Sequence, residues 1–143
     1  MPVWKLAAAA VALALILVGC GREDSQAELE AAAKSLQDSL ENKDNRELMS
    51  RIHPEFMANG ELDGDWVKRT ATLMFPRHRN VRVIALNHRS WIDSTYPDKG
   101  YSEAQVALTG AEGLLPQRVG HYNVQLEWWR TDGEWQLARL TWD

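Results

Sequence analysis

Tyr122-Asn123-Val124-Gln125-Leu126-Glu127-Trp128-Trp129-Arg130-Thr131-Asp132-Gly133-Glu134-Trp135-Gln136-Leu137 is the stretch that decides the fold. In its first half Tyr122, Val124, Leu126 and Trp128 alternate with Asn123, Gln125 and Glu127, the period of two that turns one face of a β-strand toward a core. Asp132-Gly133 is a two-residue hairpin signal, because a type I′ turn needs positive φ at both central positions. Such a loop sets Thr131 opposite Glu134, and hence Arg130 opposite Trp135 and Trp128 opposite Leu137. The apolar faces of the two strands then coincide. After Leu137 the phase slips by one, to Leu140 and Trp142. A β-bulge near Ala138-Arg139 restores a single apolar face and bends the strand.

Working back from the hairpin, the segments Val81 to Asp93, Tyr101 to Gly110 and Val119 to Thr131 all read as strands. Before Pro76 the period changes. From Ala27 to Glu41, Leu29, Ala33, Leu36 and Leu40 share one face and Glu28, Glu30, Lys34 and Asp38 the other, which predicts a helix. Asn42-Lys43-Asp44 breaks it, and Asp44 with Glu47 three residues on starts a second helix running through Ile52 and stopped by Pro54. Phe56 to Gly60 reads as a brief extended segment. Asp63-Gly64-Asp65 opens a third helix, with Trp66, Thr70, Leu73 and Met74 on one face, which Pro76 closes. Helices first and an antiparallel meander second is the order of an α+β domain.

The other end of the chain reads as an export signal. Lys5 supplies a positive charge, and Leu6 to Val18 is uninterrupted apolar sequence. Those 13 residues would span about 20 Å as a helix, against a hydrocarbon core of roughly 30 Å. Leu17-Val18-Gly19-Cys20 resembles the lipobox of bacterial lipoproteins, in which the cysteine sulfur receives a diacylglyceryl group and the preceding peptide bond is cut. An ordinary secretory signal that ends in a cysteine is the competing reading. The resulting division is a signal peptide over 1–19, lipidated Cys20 and a polar tether over 20–26, and one domain over 27–143. Gly21, where enteric lipoproteins held at the inner membrane carry aspartate, implies by the same resemblance the periplasmic side of the outer membrane. Cys20 is the only cysteine, so no intramolecular disulfide forms. With 16 basic and 20 acidic residues and a formal net charge of −4, nucleic acid is not an expected partner.

With the Asn42-Lys43-Asp44 break, the Pro54-Glu55-Phe56 exit, the helix around Trp66 and the closing hairpin in place, residues 27–143 resemble the nuclear transport factor two-like superfamily. That resemblance implies a cystatin-like cone: N-terminal helices packed in a strongly curved antiparallel sheet around a pocket. Enzymes of the superfamily place an acid, a base or an oxyanion donor deep in the cone. None of those positions can be matched here residue by residue, so none is carried over.

Among the histidines, His53 is expected at the end of the second helix, His78 in the basic run Arg77-His78-Arg79, and His121 on the outer sheet face. His88 alternates with Ile84, Leu86 and Ile92 and so is expected to face inward. His88 and Asp93 are the candidates for a catalytic base pair; the plainer readings are a satisfied core histidine and a turn-capping aspartate. Trp66, Trp91, Tyr122, Trp128 and Trp135 are expected to line a ligand pocket, with core filling as the alternative. Trp129, on the polar face, is the candidate contact for a dimer or another partner. No motif for a cofactor or a metal is present. The functional expectation is a lipid-anchored envelope protein that binds a small or apolar ligand, or an envelope partner. A cofactor-free hydrolase, isomerase or dehydratase and a purely structural assembly role are the alternatives.

Overall fold

The computed structural model describes residues 4–78, 80–109 and 121–143, with side chains from residue 23 onward. Gly110, Val119, Arg79 and the Cys20 side chain lie outside the described residues. Helix α1 runs from Trp4 to Glu41, so the segment read as a tether is helical instead. Its last residues are already docked on the sheet: the Ser25 hydroxyl accepts a hydrogen bond from Arg130 Nη1 at 2.8 Å, and Gln26 Nε2 donates to the Ser90 carbonyl at 2.8 Å. Among the described residues, no helix is long and apolar enough to cross a membrane.

Helix α2 (Asn45–Ser50) starts at the expected cap, where the Asp44 carboxylate accepts from the Glu47 backbone N–H at 3.1 Å. It ends two residues earlier than the sequence suggests. Ile52–Ala58 forms a strand, β1, with His53 and Pro54 inside it. The reason is long-range: β1 lies parallel to the last strand, pairing Ile52 with Leu137 and Ala58 with Leu140. That pairing buries Ile52, Phe56 and Ala58. Pro54 falls within the irregular stretch of the register, where a missing N–H costs the ladder nothing. His53 is therefore a buried strand residue and not a helix terminus.

A short strand β2 (Leu62–Asp63) leads into α3 (Gly64–Met74), whose first turn is capped by Asp63 through the Trp66 N–H at 3.0 Å. A 3-10 turn over Phe75–Arg77 carries Pro76. The meander follows as β3 (Arg82–Ile92), β4 (Lys99–Thr109), β5 (His121–Thr131) and β6 (Glu134–Trp142). The six strands lie in the order β2-β1-β6-β5-β4-β3, so β3 is an edge. All neighbours are antiparallel except β1 and β6.

The hairpin has the expected register, with Trp128 opposite Leu137, Arg130 opposite Trp135 and Thr131 opposite Glu134. Asp132 and Gly133 have φ of 53° and 78°, as a type I′ turn requires. Trp128 pairs with Leu137 while Glu127 pairs with Arg139, which leaves Ala138 as the bulged residue. Trp135, Leu137 and Trp142 are consequently all buried. A second bulge, not foreseen from the sequence, lies in β3: Leu86 pairs with Gln105 and Arg89 with Glu103, so Asn87 and His88 together oppose Ala104. Asn87 has φ 52°, a left-handed conformation that asparagine tolerates better than most residues, and its amide donates to Gln105 Oε1 at 3.1 Å.

Helix α1 crosses the concave face of this sheet. At Gly100 the two come close enough that a Cβ would stand 2.8 Å from Leu29 Cδ2. Leu29, Trp128 and Trp135 seal the core around that contact.

Candidate functional site

Between the helices and the concave face lies a partly open cavity of about 570 Å³. Alternation puts Val83, Ala85 and Ser90 of β3, Ser102, Ala104, Val106 and Leu108 of β4, and Tyr122, Val124 and Leu126 of β5 on its wall. Leu36, Gln37 and Leu40 of α1 and Trp66, Val67 and Thr70 of α3 face them. Phe56, Phe75 and Trp142 complete it, with the Trp142 ring stacked on Trp66 at a centroid distance of 6.3 Å.

Along one side the wall is not held by a backbone ladder. The outer edge of β3 meets α1 through two glutamines: Gln26 reaches the Ser90 carbonyl, and Gln37 Nε2 reaches the Val83 carbonyl at 2.8 Å. Between these two bonds Glu30, Ala33 and Lys34 on α1 border the cavity with Ala85, His88 and Arg89 on β3. The charges on this border are paired within their own elements or with a neighbouring strand. Lys34 binds Asp38 at 3.0 Å on α1, and Arg89 is paired with Glu103.

The polar groups on the β3 and β4 wall form one row. Trp128 Nε1 donates to Ser102 Oγ at 3.0 Å, Ser102 Oγ lies 2.7 Å from Ser90 Oγ, and Ser90 Oγ lies 3.4 Å from His88 Nε2. An indole only donates, and the Ser102 hydroxyl is buried, so the row is fully satisfied when each serine passes its proton onward toward His88.

Of the residues expected to line a pocket, Trp66 and Tyr122 do. Trp128 and Trp135 do not: both are sealed in the core behind it. Trp91 lies on the convex face, 37% exposed, against the Tyr101 ring at 5.6 Å and beneath the Arg89 guanidinium at 4.8 Å. The bulge at Asn87 is the cause, since it reverses the phase of everything after it. Ile84 and Leu86, ahead of the bulge, point outward and are exposed, while His88 and Ser90, beyond it, border the cavity. His88 reaches the rim as a solvent-exposed residue and not as a core one.

Nor are His88 and Asp93 a pair. The Asp93 carboxylate accepts hydrogen bonds from the Tyr96 and Thr95 backbone N–H groups, at 2.9 and 2.8 Å, and from the Tyr101 hydroxyl at 2.9 Å. Those bonds hold its pKa below the ordinary carboxylate value, as a turn cap and not as a base. Trp129 is not an open docking residue either. Its ring is half-buried, with His53 edge-on at 4.9 Å and the Arg139 guanidinium 4.9 Å above it, and its Nε1 donates to Glu127 Oε1 at 2.9 Å. Phe56 and Phe75 are wall residues the sequence did not mark as such. For Phe56 and Phe75 the missing signal was the strand and turn they belong to. Among the described residues, no cluster of three His, Cys, Asp or Glu side chains could hold a metal ion.

No family model matches the chain, and no curated protein matches its sequence. Solved structures do. An NTF2-like protein from Pseudomonas putida gives a TM-score of 0.67 at 8% identity, over 85% of this chain and 87% of that one. The hexachlorocyclohexane dehydrochlorinase LinA-type3 from Novosphingobium barchaimii gives 0.64 at 16% identity, over 85% and 87%. Bd1075 from Bdellovibrio bacteriovorus gives 0.66 at 11% identity over 80% of this chain, which spans only 40% of that protein. Identities this low speak to the fold alone, and the fold is the NTF2-like, cystatin-like α+β cone.

Proposed function

We propose that this NTF2-like cone binds a small apolar molecule, and that the chain is exported and held by lipid on Cys20 at the periplasmic side of the outer membrane. One observation carries the binding reading: a cavity of about 570 Å³ whose interior wall is aliphatic and aromatic while its charged groups stop at the rim. That size falls within the roughly 300–1,000 Å³ of small-molecule sites, which are mostly apolar with a few placed polar groups.

The same fold carries enzymes, the dehydrochlorinase above among them. A proton-transfer site needs a base whose partner orients it. Here His88 meets the Ser90 hydroxyl at 3.4 Å, and no carboxylate is hydrogen-bonded to it among the described residues. Binding is therefore the reading that the geometry supports over catalysis.

The test is a titration of the full-length chain, held in phospholipid nanodiscs, with naphthalene, empty nanodiscs serving as the blank. Ala104→Trp places an indole where the wall now has a methyl group. It should weaken binding at least tenfold while circular dichroism stays unchanged. Equal affinity in the folded variant would sink the cavity as the binding site.

A further inference from the structure

How a domain sits on a membrane depends on how its first element is mounted. Helix α1 is continuous through Cys20 and Ser25, and the step between them rises about 7.5 Å. Ser25 and Gln26 are already bonded to the sheet, through Arg130 and the Ser90 carbonyl. Because Gln26 meets Ser90 and Gln37 meets Val83, α1 runs antiparallel to β3. The end of β3 is therefore the end of the sheet nearest Cys20.

That end carries the β3–β4 turn, and Arg130 ties it to the helix. The guanidinium that holds Ser25 also donates through Nε to Asp98 Oδ1 at 3.0 Å and through Nη2 to the Pro97 carbonyl at 3.4 Å. Asp93 caps the turn from within. On this rigid tip Tyr96 is 62% exposed, with Lys99 Nζ 5.8 Å from its ring, and the exposed Trp91 stands behind it on the convex face. The cations here are each paired with a carboxylate: Arg130 with Asp98, Lys99 with Glu127, Arg89 with Glu103. Such a surface is not built to seek anionic headgroups. A tyrosine ring, apolar along its body and polar at its tip, settles instead at the boundary between headgroups and hydrocarbon.

Resting on the lipid anchor proposed above, we propose that the β3–β4 turn is a second membrane contact: with Cys20 held in the bilayer, Tyr96 enters the headgroup layer of the same leaflet and fixes the orientation of the domain. The distances suit this. A headgroup layer is about 5–8 Å thick on each side, so Ser25 stands near its outer edge, and the turn bonded to Arg130 stands beside it. The contact is shallow, because the neighbouring hairpin tip carries the exposed Asp132, which stays out of hydrocarbon. The α1–β3 border of the cavity starts just beyond Gln26, and so it opens close to the membrane surface.

The test uses the full chain, made in bacteria, purified from their membranes and held in phosphatidylcholine nanodiscs that contain a headgroup spin-labelled lipid. Cys20 is the only cysteine, and a lipid would block its sulfur. A thiol-reactive NBD fluorophore then marks one added cysteine alone: Ser94→Cys on the turn, or Thr109→Cys, roughly 33 Å away along β4, both at exposed positions. The spin label should quench the fluorophore at 94 at least threefold more than at 109, equally at low and high salt. Adding Tyr96→Ala should remove at least half of the quenching at 94, and Tyr96→Trp should keep it, with circular dichroism melting curves showing each variant folded. Equal quenching at both positions, no quenching at 94, loss of quenching at high salt, or no effect of Tyr96→Ala overturns the proposal; in a chain labelled once, the lipid anchor survives each of these. A second fluorophore on Cys20 shows a free sulfur, and then the anchor fails and the proposed contact with it.

Discussion

Asp93 and Tyr101 show how much a single pair can do without being a catalytic site. The carboxylate caps the turn after β3 and accepts the Tyr101 hydroxyl at 2.9 Å. Desolvation, and then the hydrogen bond and charge of Asp93, push the phenol up to about 12. An unfolded tyrosine ionises near pH 10. The pair's contribution to stability is therefore full below about pH 10 and is lost as pH rises toward 12. Asp93 has the opposite sign: held low in the fold, it stabilises above the ordinary carboxylate range and gives that up as pH falls through its folded value. The alkaline fall in melting temperature between pH 10 and 12 should accordingly be shallower in Tyr101→Phe than in the native chain. In Asp93→Asn, ultraviolet absorbance should show Tyr101 ionising at lower pH, though only part of the way to 10, because desolvation remains. At this scale sequence reading is weak. The turn-capping alternative for Asp93 could be weighed from composition, but His53 could not be placed. Its burial against Trp129 depends on a strand pairing that no local residue announces.

The elements were legible where the period was unbroken or where the break left an apolar trace. The Ala138 bulge could be read because Trp135 and Leu137 on one side and Leu140 and Trp142 on the other advertise the change of phase. The Asn87 bulge could not, because the residues around it, Asn87, His88 and Arg89, carry no apolar pattern to slip. That one unseen residue is why Ile84 and Leu86 were expected on the same inward face as His88. β1 was hidden for another reason: a proline and a helix-like start masked a strand whose partner is β6. The bulges make a sharp prediction. Deleting Ala138 removes the extra residue itself, so Leu137, Leu140 and Trp142 alternate on one face as in a regular strand; the pairing with β5 survives while the bend of the bulge is lost. The deletion variant should keep a cooperative melting transition by circular dichroism, and Ala138→Gly, which keeps the bulge and loses one buried methyl group, should melt cooperatively at a lower temperature than the native chain; a deletion variant without a transition would refute this register.

At the scale of the whole molecule, the α+β cone was foreseeable from element order and the closing hairpin, but whether it was open or filled was not. That depends on side-chain volumes summed over every wall. The cavity itself is a reserve of stability that the chain leaves unused. Ala104→Leu adds three methylene-sized groups to the wall at about 0.8 kcal/mol each if they fit without strain. It should raise the melting temperature by a few degrees while weakening naphthalene binding. For the proposed lipid anchor, Cys20→Ser should abolish incorporation of radiolabelled palmitate and leave the proposed signal uncleaved; label persisting in the variant would refute the lipobox reading. The parallel pairing of β1 with β6 bears on how the chain is made. Ile52 and Leu137 are neighbours in the sheet but roughly 85 residues apart along the chain. β1 and β2 therefore have no sheet to join until β6 has been synthesised, and Trp135, Leu137 and Trp142 arrive with it. Distant pairings of this kind slow folding, because the loop must close before any contact compensates. A nascent chain with this topology stays unfinished throughout its synthesis, and an unfinished chain is the form that can be threaded through a secretion channel.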